Sequence, residues 1–211
     1  MRNYVATGAL FLIFSIGVFA QGNSDRTASF EIGTSPFVDS EALLTPSFLK
    51  ARYFFSDFAA RLSIGTDMLF VSDQENNAES VKNLADFEIR PGIEYHISAS
   101  ENAIPFIGVD FIYASQEKSF DTEAGAPVDG AWDVDDYENS RGFNAWGVNL
   151  VAGGDYFIKG SNFYVGAEVG FEFLNINYAE VKWNEQVLSS STTMRQFKPT
   201  LSSMLRIGVA F

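Results

Sequence analysis

RQFKPTLSSMLRIGVAF, residues Arg195–Phe211, decides how this chain is read. Every second residue falls on one side: Phe197, Leu201, Leu205, Ile207, Val209 and Phe211. Between them lie Gln196, Lys198, Thr200, Ser202, Met204, Arg206, Gly208 and Ala210, a set that is mostly small, hydroxylated or charged. Period-two alternation is the mark of a strand whose faces meet different surroundings. The stretch ends on an aromatic residue, an ending that suits a strand leaving hydrocarbon at a membrane interface.

Working outward from this strand, the same pattern recurs seven times. Strands are expected at about Thr27–Val38, Ser47–Phe55, Phe58–Phe70, Asp86–Ile97, Ile104–Lys118, Gly142–Ile158 and Phe163–Trp183. The clearest sets Phe87, Ile89, Pro91, Ile93, Tyr95 and Ile97 against Asp86, Glu88, Arg90, Gly92, Glu94 and His96. The seventh loses its alternation at Leu174–Tyr178, where a bulge would shift the register. Ser56–Asp57, Ser98–Ala103 and Lys159–Asn162 read as tight turns. Asp39–Pro46, Val71–Asn83, Ser119–Arg141 and Asn184–Met194 read as longer, more polar loops. Short and long connections alternate, as in an up-and-down barrel with turns at one end and loops at the other.

Met1–Ala20 has the form of a secretion signal: Arg2, an apolar run Val5–Val18, and small residues at Val18-Phe19-Ala20. An N-terminal membrane anchor is the competing reading, but the run is short for a helix of about 20 residues. Residues 21–211 then form one domain. The chain has 14 Lys and Arg against 27 Asp and Glu, a net charge of −13. Such acidity argues against nucleic acid or an anionic membrane surface as a partner. Without cysteine, disulfides, thiolate metal sites and cysteine nucleophiles are all excluded. The chain has 21 Phe, yet mean hydropathy is near zero. A soluble domain would have to bury those rings, whereas a membrane barrel can display them.

Backbone groups in hydrocarbon must be paired, so strands cross a membrane only as a closed barrel. The expected fold is therefore all-β, an eight-stranded antiparallel up-and-down transmembrane β-barrel. Phe58, Tyr95, Tyr156 and Phe211 would form the turn-side ring of interface aromatics, with Phe55, Phe106 and Phe163 nearby. Phe70, Phe87, Tyr113 and Trp146 would form the loop-side ring. The inward faces assemble a charge network of Lys50, Arg52, Arg61, Asp67, Glu88, Arg90, Glu94, Asp110, Asp155, Glu168, Glu172 and Arg206, joined by Glu31 and Lys198. Eight strands enclose room only for side chains, so these charges should pair and fill the lumen. A soluble carrier of lipocalin type would invert that polarity. The long loops at one end and the many glycines of the polar faces weigh against it.

With its signal, its alternating strands and the terminal R-I-G-V-A-F, the chain resembles small outer-membrane β-barrel proteins of OmpX or OmpW type. The resemblance implies a place in the cell outer membrane of a Gram-negative bacterium, contact with outer-membrane lipids, and delivery to the barrel-assembly machinery through the strand ending in Phe211. It implies no particular activity. Enzymatic barrels place His with carboxylates or Ser at the outer rim, whereas His96, the single histidine, falls at the turn end. No catalytic residue, metal ligand or cofactor is expected. Asp133, Asp135, Asp136 and Glu138 lack the spacing of a calcium loop, although loop 119–141 is where an extracellular ligand would bind. The first functional expectation is a structural or surface-interaction barrel with a filled lumen. A narrow, porin-like passage for small, including hydrophobic, molecules is the alternative, and an outer-membrane enzyme comes third.

Overall fold

The computed structural model describes residues 26–34, 48–75, 78–97, 102–122, 127–132 and 137–211. The expected signal 1–20, the loop Asp39–Pro46, and Glu123, Asp133, Asp135 and Asp136 lie outside the described residues. The strands are β1 (Ala28–Thr34), β2 (Phe48–Phe55), β3 (Phe58–Glu75), β4 (Ala78–His96), β5 (Ala103–Thr122), β6 (Val128–Asp129), β7 (Phe143–Phe157), β8 (Phe163–Tyr178), β9 (Val181–Trp183), β10 (Gln186–Ser189) and β11 (Thr192–Ala210). One helical turn, α1, spans Tyr137–Ser140.

All pairings are antiparallel, and eight of these strands close a ring: β1, β2, β3, β4, β5, β7, β8, β11, and back to β1. The seam pairs Phe30 with Val209 and Ile32 with Ile207. At its turn end the Phe211 carbonyl accepts from the amides of Thr27 (2.7 Å) and Ala28 (2.9 Å), and the Phe211 amide donates to the Ala28 carbonyl. Over Ser29–Thr34 the seam is thus paired residue by residue with Leu205–Ala210, the condition that removes unpaired backbone groups from a closed sheet.

Alternation sorts the side chains as the period-two pattern demands. Arg206 is 1% exposed, while Ile207 beside it is 60% exposed. The same inversion holds around the ring: Lys50, Arg52, Arg61, Glu94, Asp110 and Glu172 are buried, while Ile93, Val109, Leu150, Val165 and Phe171 are exposed.

Four expectations are corrected. The Val71–Asn83 loop is mostly strand: β3 and β4 stay paired to Glu75 and Ala78, with Val71 opposite Lys82. Polar residues concealed this extension, because a backbone ladder needs no apolar face. The seventh strand ends at Tyr178, and Leu174–Tyr178 contains no bulge, since its register against β7 and β11 runs unbroken. The alternation fades there because the inward face itself turns apolar: Leu174, Ile176 and Tyr178 pack with Ala114, Ala145 and Phe143. The shift in register lies instead between Thr200 and Met204 of β11, next to Pro199, which has no N–H to give the ladder. The loops 119–141 and 184–194 are not plain coils. β6, β9 and β10 extend the sheet beyond β5, and Val128, Ala131 and Val181 form a small core with Phe120 and Tyr137. Finally, Phe106 points inward and is buried.

Candidate functional site

Every strand of the ring contributes to a charged layer in its interior. β2 supplies Lys50 and Arg52, two residues apart and so on one face. Arg52 lies directly opposite Arg61 of β3. Like charges so placed repel, and Glu94 of β4 relieves the repulsion by accepting from Arg52 at 2.8 Å and from Arg61 at 3.1 Å. Arg52 also reaches Asp155 of β7 at 2.7 Å, and its Nε donates to Ser29 Oγ of β1. Arg61 continues to Asp110 of β5 at 2.8 Å and to Glu168 of β8 at 3.1 Å. Arg206 of β11 closes the circuit, pairing with Asp155 at 2.7 Å and Glu31 at 3.1 Å. Lys50 bridges Glu168 at 3.0 Å and Glu31 at 3.4 Å.

Toward the loops a second tier follows. Arg90 binds Glu172 at 2.7 Å and chelates Glu88, while Lys198 lies 3.5 Å from Glu172. Lys198 points inward yet is about half exposed, so this tier is open to solvent while the first is dry. Above it sits the apolar cap around Ile176. Below the first tier an aromatic floor closes the turn end. Tyr164 donates to Glu31 at 2.7 Å, packs on Phe157 and lies under Arg52. His96 shares a hydrogen bond of 2.9 Å with Glu94 and lies between the rings of Phe54 and Phe106.

Of the expected charge network, Lys50, Arg52, Arg61, Glu94, Asp110, Asp155, Glu168 and Arg206 meet in one layer, with Glu88, Arg90 and Glu172 in the next. The Asp67 side chain lies outside the described residues, as does that of Phe70. Phe58, Phe87, Tyr95, Tyr113, Trp146 and Tyr156 are exposed on the outward face, and Phe211 is half-buried with its ring 5.9 Å from that of Phe30. Ser29, Asn149 and Tyr164 belong to the interior and were passed over. Their inward parity was legible, but uncharged residues gave no reason to single them out. Among the described residues no group of three or more His, Asp or Glu is arranged to hold a metal ion.

Chemically the layer is a set of buried ion pairs, in which Arg52 Nη2, Arg61 Nε, Arg206 Nε and Asp110 Oδ1 make no hydrogen bond of their own. It crosslinks all eight strands and crosses the interior from wall to wall. No family model matches the chain, and no curated protein matches it. Among solved structures, the crystal structure of Acinetobacter baumannii CarO is similar over 89% of this chain and 97% of that one, at 12% identity and a TM-score of 0.36.

Proposed function

We propose that this protein is an integral outer-membrane β-barrel with a structural or surface-interaction role and a lumen filled by its own charges. One observation carries the reading: the wall is inside out, with ion pairs buried within and an almost unbroken apolar surface outside. Such a surface is untenable in water, where exposed apolar patches are small. It is what hydrocarbon requires. The outward apolar bands run from Trp146 to Tyr156 on β7, from Phe163 to Phe173 on β8 and from Phe87 to Tyr95 on β4. Each matches the roughly 9–11 tilted residues of a membrane-crossing strand, and each is bounded by aromatics. The signal-like residues 1–20 and the place of Phe211 in the closing seam support export and assembly by this route.

An observation favours a second reading as well. The tier of Glu88, Arg90 and Lys198 is less buried than the first, and a small solute could pass if the apolar cap around Ile176 and the first tier both opened. An enzymatic role draws no such support, because His96 is enclosed by aromatic rings and committed to Glu94.

Planar-bilayer recording separates the two. The filled lumen predicts no steady conductance from the wild-type protein; a porin-like current would give the function to a passage. Protease protection in lipid vesicles tests the membrane reading beneath both. Complete digestion of the refolded protein, with no strand protected, would sink it.

A further inference from the structure

On the outward face of β7, β8 and β11, residues form rows across the three strands. Trp146 lies opposite Asn175, and Asn175 opposite Arg195. One step toward the turns, the row is Val148, Phe173 and Phe197. The next holds Leu150 and Phe171, and one step toward the loops the row becomes Asn144, Asn177 and Thr193. The Phe197 ring stacks 6.2 Å from Phe171 and 4.6 Å from Phe173. Thr193 donates to Asn177 at 2.7 Å. Within a span of three strands the surface passes from aliphatic to aromatic, then to a tryptophan beside a cation, then to amides and a hydroxyl.

A groove of about 510 Å³ runs between Trp146, Phe173, Phe197 and Arg195. Arg195 is the exception on this wall. Among the described residues it is the one basic residue on the outward face of the ring, and its side chain makes no ion pair or hydrogen bond. The interior arginines each meet two or more carboxylates. In a chain of net charge −13, a free arginine at an aromatic rim asks for an anion from elsewhere.

We propose that Arg195, with Trp146, Phe173 and Phe197, forms a docking site for an anionic, phosphate-bearing lipid of the loop-side leaflet. This rests on the membrane reading above. The guanidinium fork matches phosphate oxygens in two-point contact, Asn175 offers a further donor, and Trp146 lies at the level where indoles meet headgroups. The acyl chain follows Phe197, Phe171 and Leu150 toward the turns. An amphiphile carries charge and hydrocarbon in that order and over that distance. A second copy docking symmetrically on the same patch would bring one Arg195 to the other, and so add repulsion.

The test uses the full chain with Trp132→Phe and Trp183→Phe, which leaves Trp146 as the only tryptophan. The protein is refolded into phosphatidylcholine vesicles in which a minority of the lipid is brominated, either phosphatidic acid or phosphatidylcholine. Brominated phosphatidic acid should quench Trp146 more strongly than the zwitterionic lipid at equal fraction. Arg195→Gln should cut that selectivity about fivefold, the equivalent of about 1 kcal/mol per cation at an anionic surface; Arg195→Lys should retain part of it. Protein that inserts but is quenched equally by both lipids, or keeps its selectivity in Arg195→Gln, overturns the lipid site and leaves the membrane reading standing. Crosslinking of two copies through Phe173 or Phe197 without lipid preference gives the face to a second copy. No protection and no quenching by either lipid removes both readings.

Discussion

Glu94 illustrates how much one residue can decide. It stands between Arg52 and Arg61, which the register places face to face. Removing one member of a buried ion cluster strands the others, at a cost of about 3–5 kcal/mol. Glu94→Gln should therefore lower the urea midpoint of the refolded protein sharply, whereas Glu138→Gln, on the exposed outer loop, should leave it in place. Equal midpoints for the two variants would mean that the layer is not a stabilising network. Gly208 is decisive for a different reason. A Cβ there would land on the Tyr164 ring, so Gly208→Val should push that ring aside, break its bond to Glu31 and cost about 1–3 kcal/mol through overpacking. Loss of Tyr164 burial, read by ultraviolet absorbance, checks it. Parity alone was enough to place Lys50, Glu94 and Arg206 inside. It could not say that Glu94 would join two arginines, because that depends on which residues of adjacent strands lie opposite each other, and no single strand's pattern contains its register.

At the scale of elements, what was legible followed the alternation and what was hidden followed its absence. β7 alternates cleanly between apolar and polar residues and was read close to its bounds, whereas β4 was read only over its alternating part from Asp86 onward. The upper part of the β3–β4 hairpin is polar on both sides, and its pairing comes from backbone bonds that no composition reveals. β8 misled in the opposite sense, since beyond Phe173 its polarity inverts, with Leu174, Ile176 and Tyr178 inward and Asn175 and Asn177 outward, which imitated a lost register. The two-residue link between β9 and β10 was also concealed. Asn184 and Glu185 both have positive φ, 48° and 65°, the geometry of a type I′ hairpin turn. Asn suits such a position and Glu does not, because a left-handed conformation costs a side-chain-bearing residue about 1–2 kcal/mol. Glu185→Gly should slow amide exchange in β10 relative to the wild type. Unchanged or faster exchange would show that the turn is not the weak point of this flap.

For the molecule as a whole, the distribution of charge separates wall from ends. The two interior tiers hold six of the 14 basic residues and seven of the 27 acidic ones, so they are nearly neutral. The acidic excess lies elsewhere, which suits a body whose middle must avoid net charge and whose ends meet water. Ile93, at 42% exposure, gives a direct test of what surrounds the wall. In a bilayer, Ile93→Arg should cost about 2–4 kcal/mol and impair insertion. On a water-facing surface the same change would fall within roughly 0.5 kcal/mol of neutral. Refolding yield in vesicles, compared with wild type, distinguishes the two, and an unimpaired yield would argue against hydrocarbon at this site.

The hydrogen bonds that tie Phe211 to Thr27 and Ala28 have a consequence for the order of the chain. With those ends adjacent in space, the ring has no intrinsic first strand. A circular permutant that links Phe211 to Thr27 and opens at Lys159–Asn162 would keep every pairing around the wall, while moving the aromatic ending from the chain terminus to an internal position. Such a molecule would hold the finished architecture constant and change only the order in which it is delivered. It would thereby test whether the assembly role proposed for Phe211 depends on anything beyond its membership of the seam.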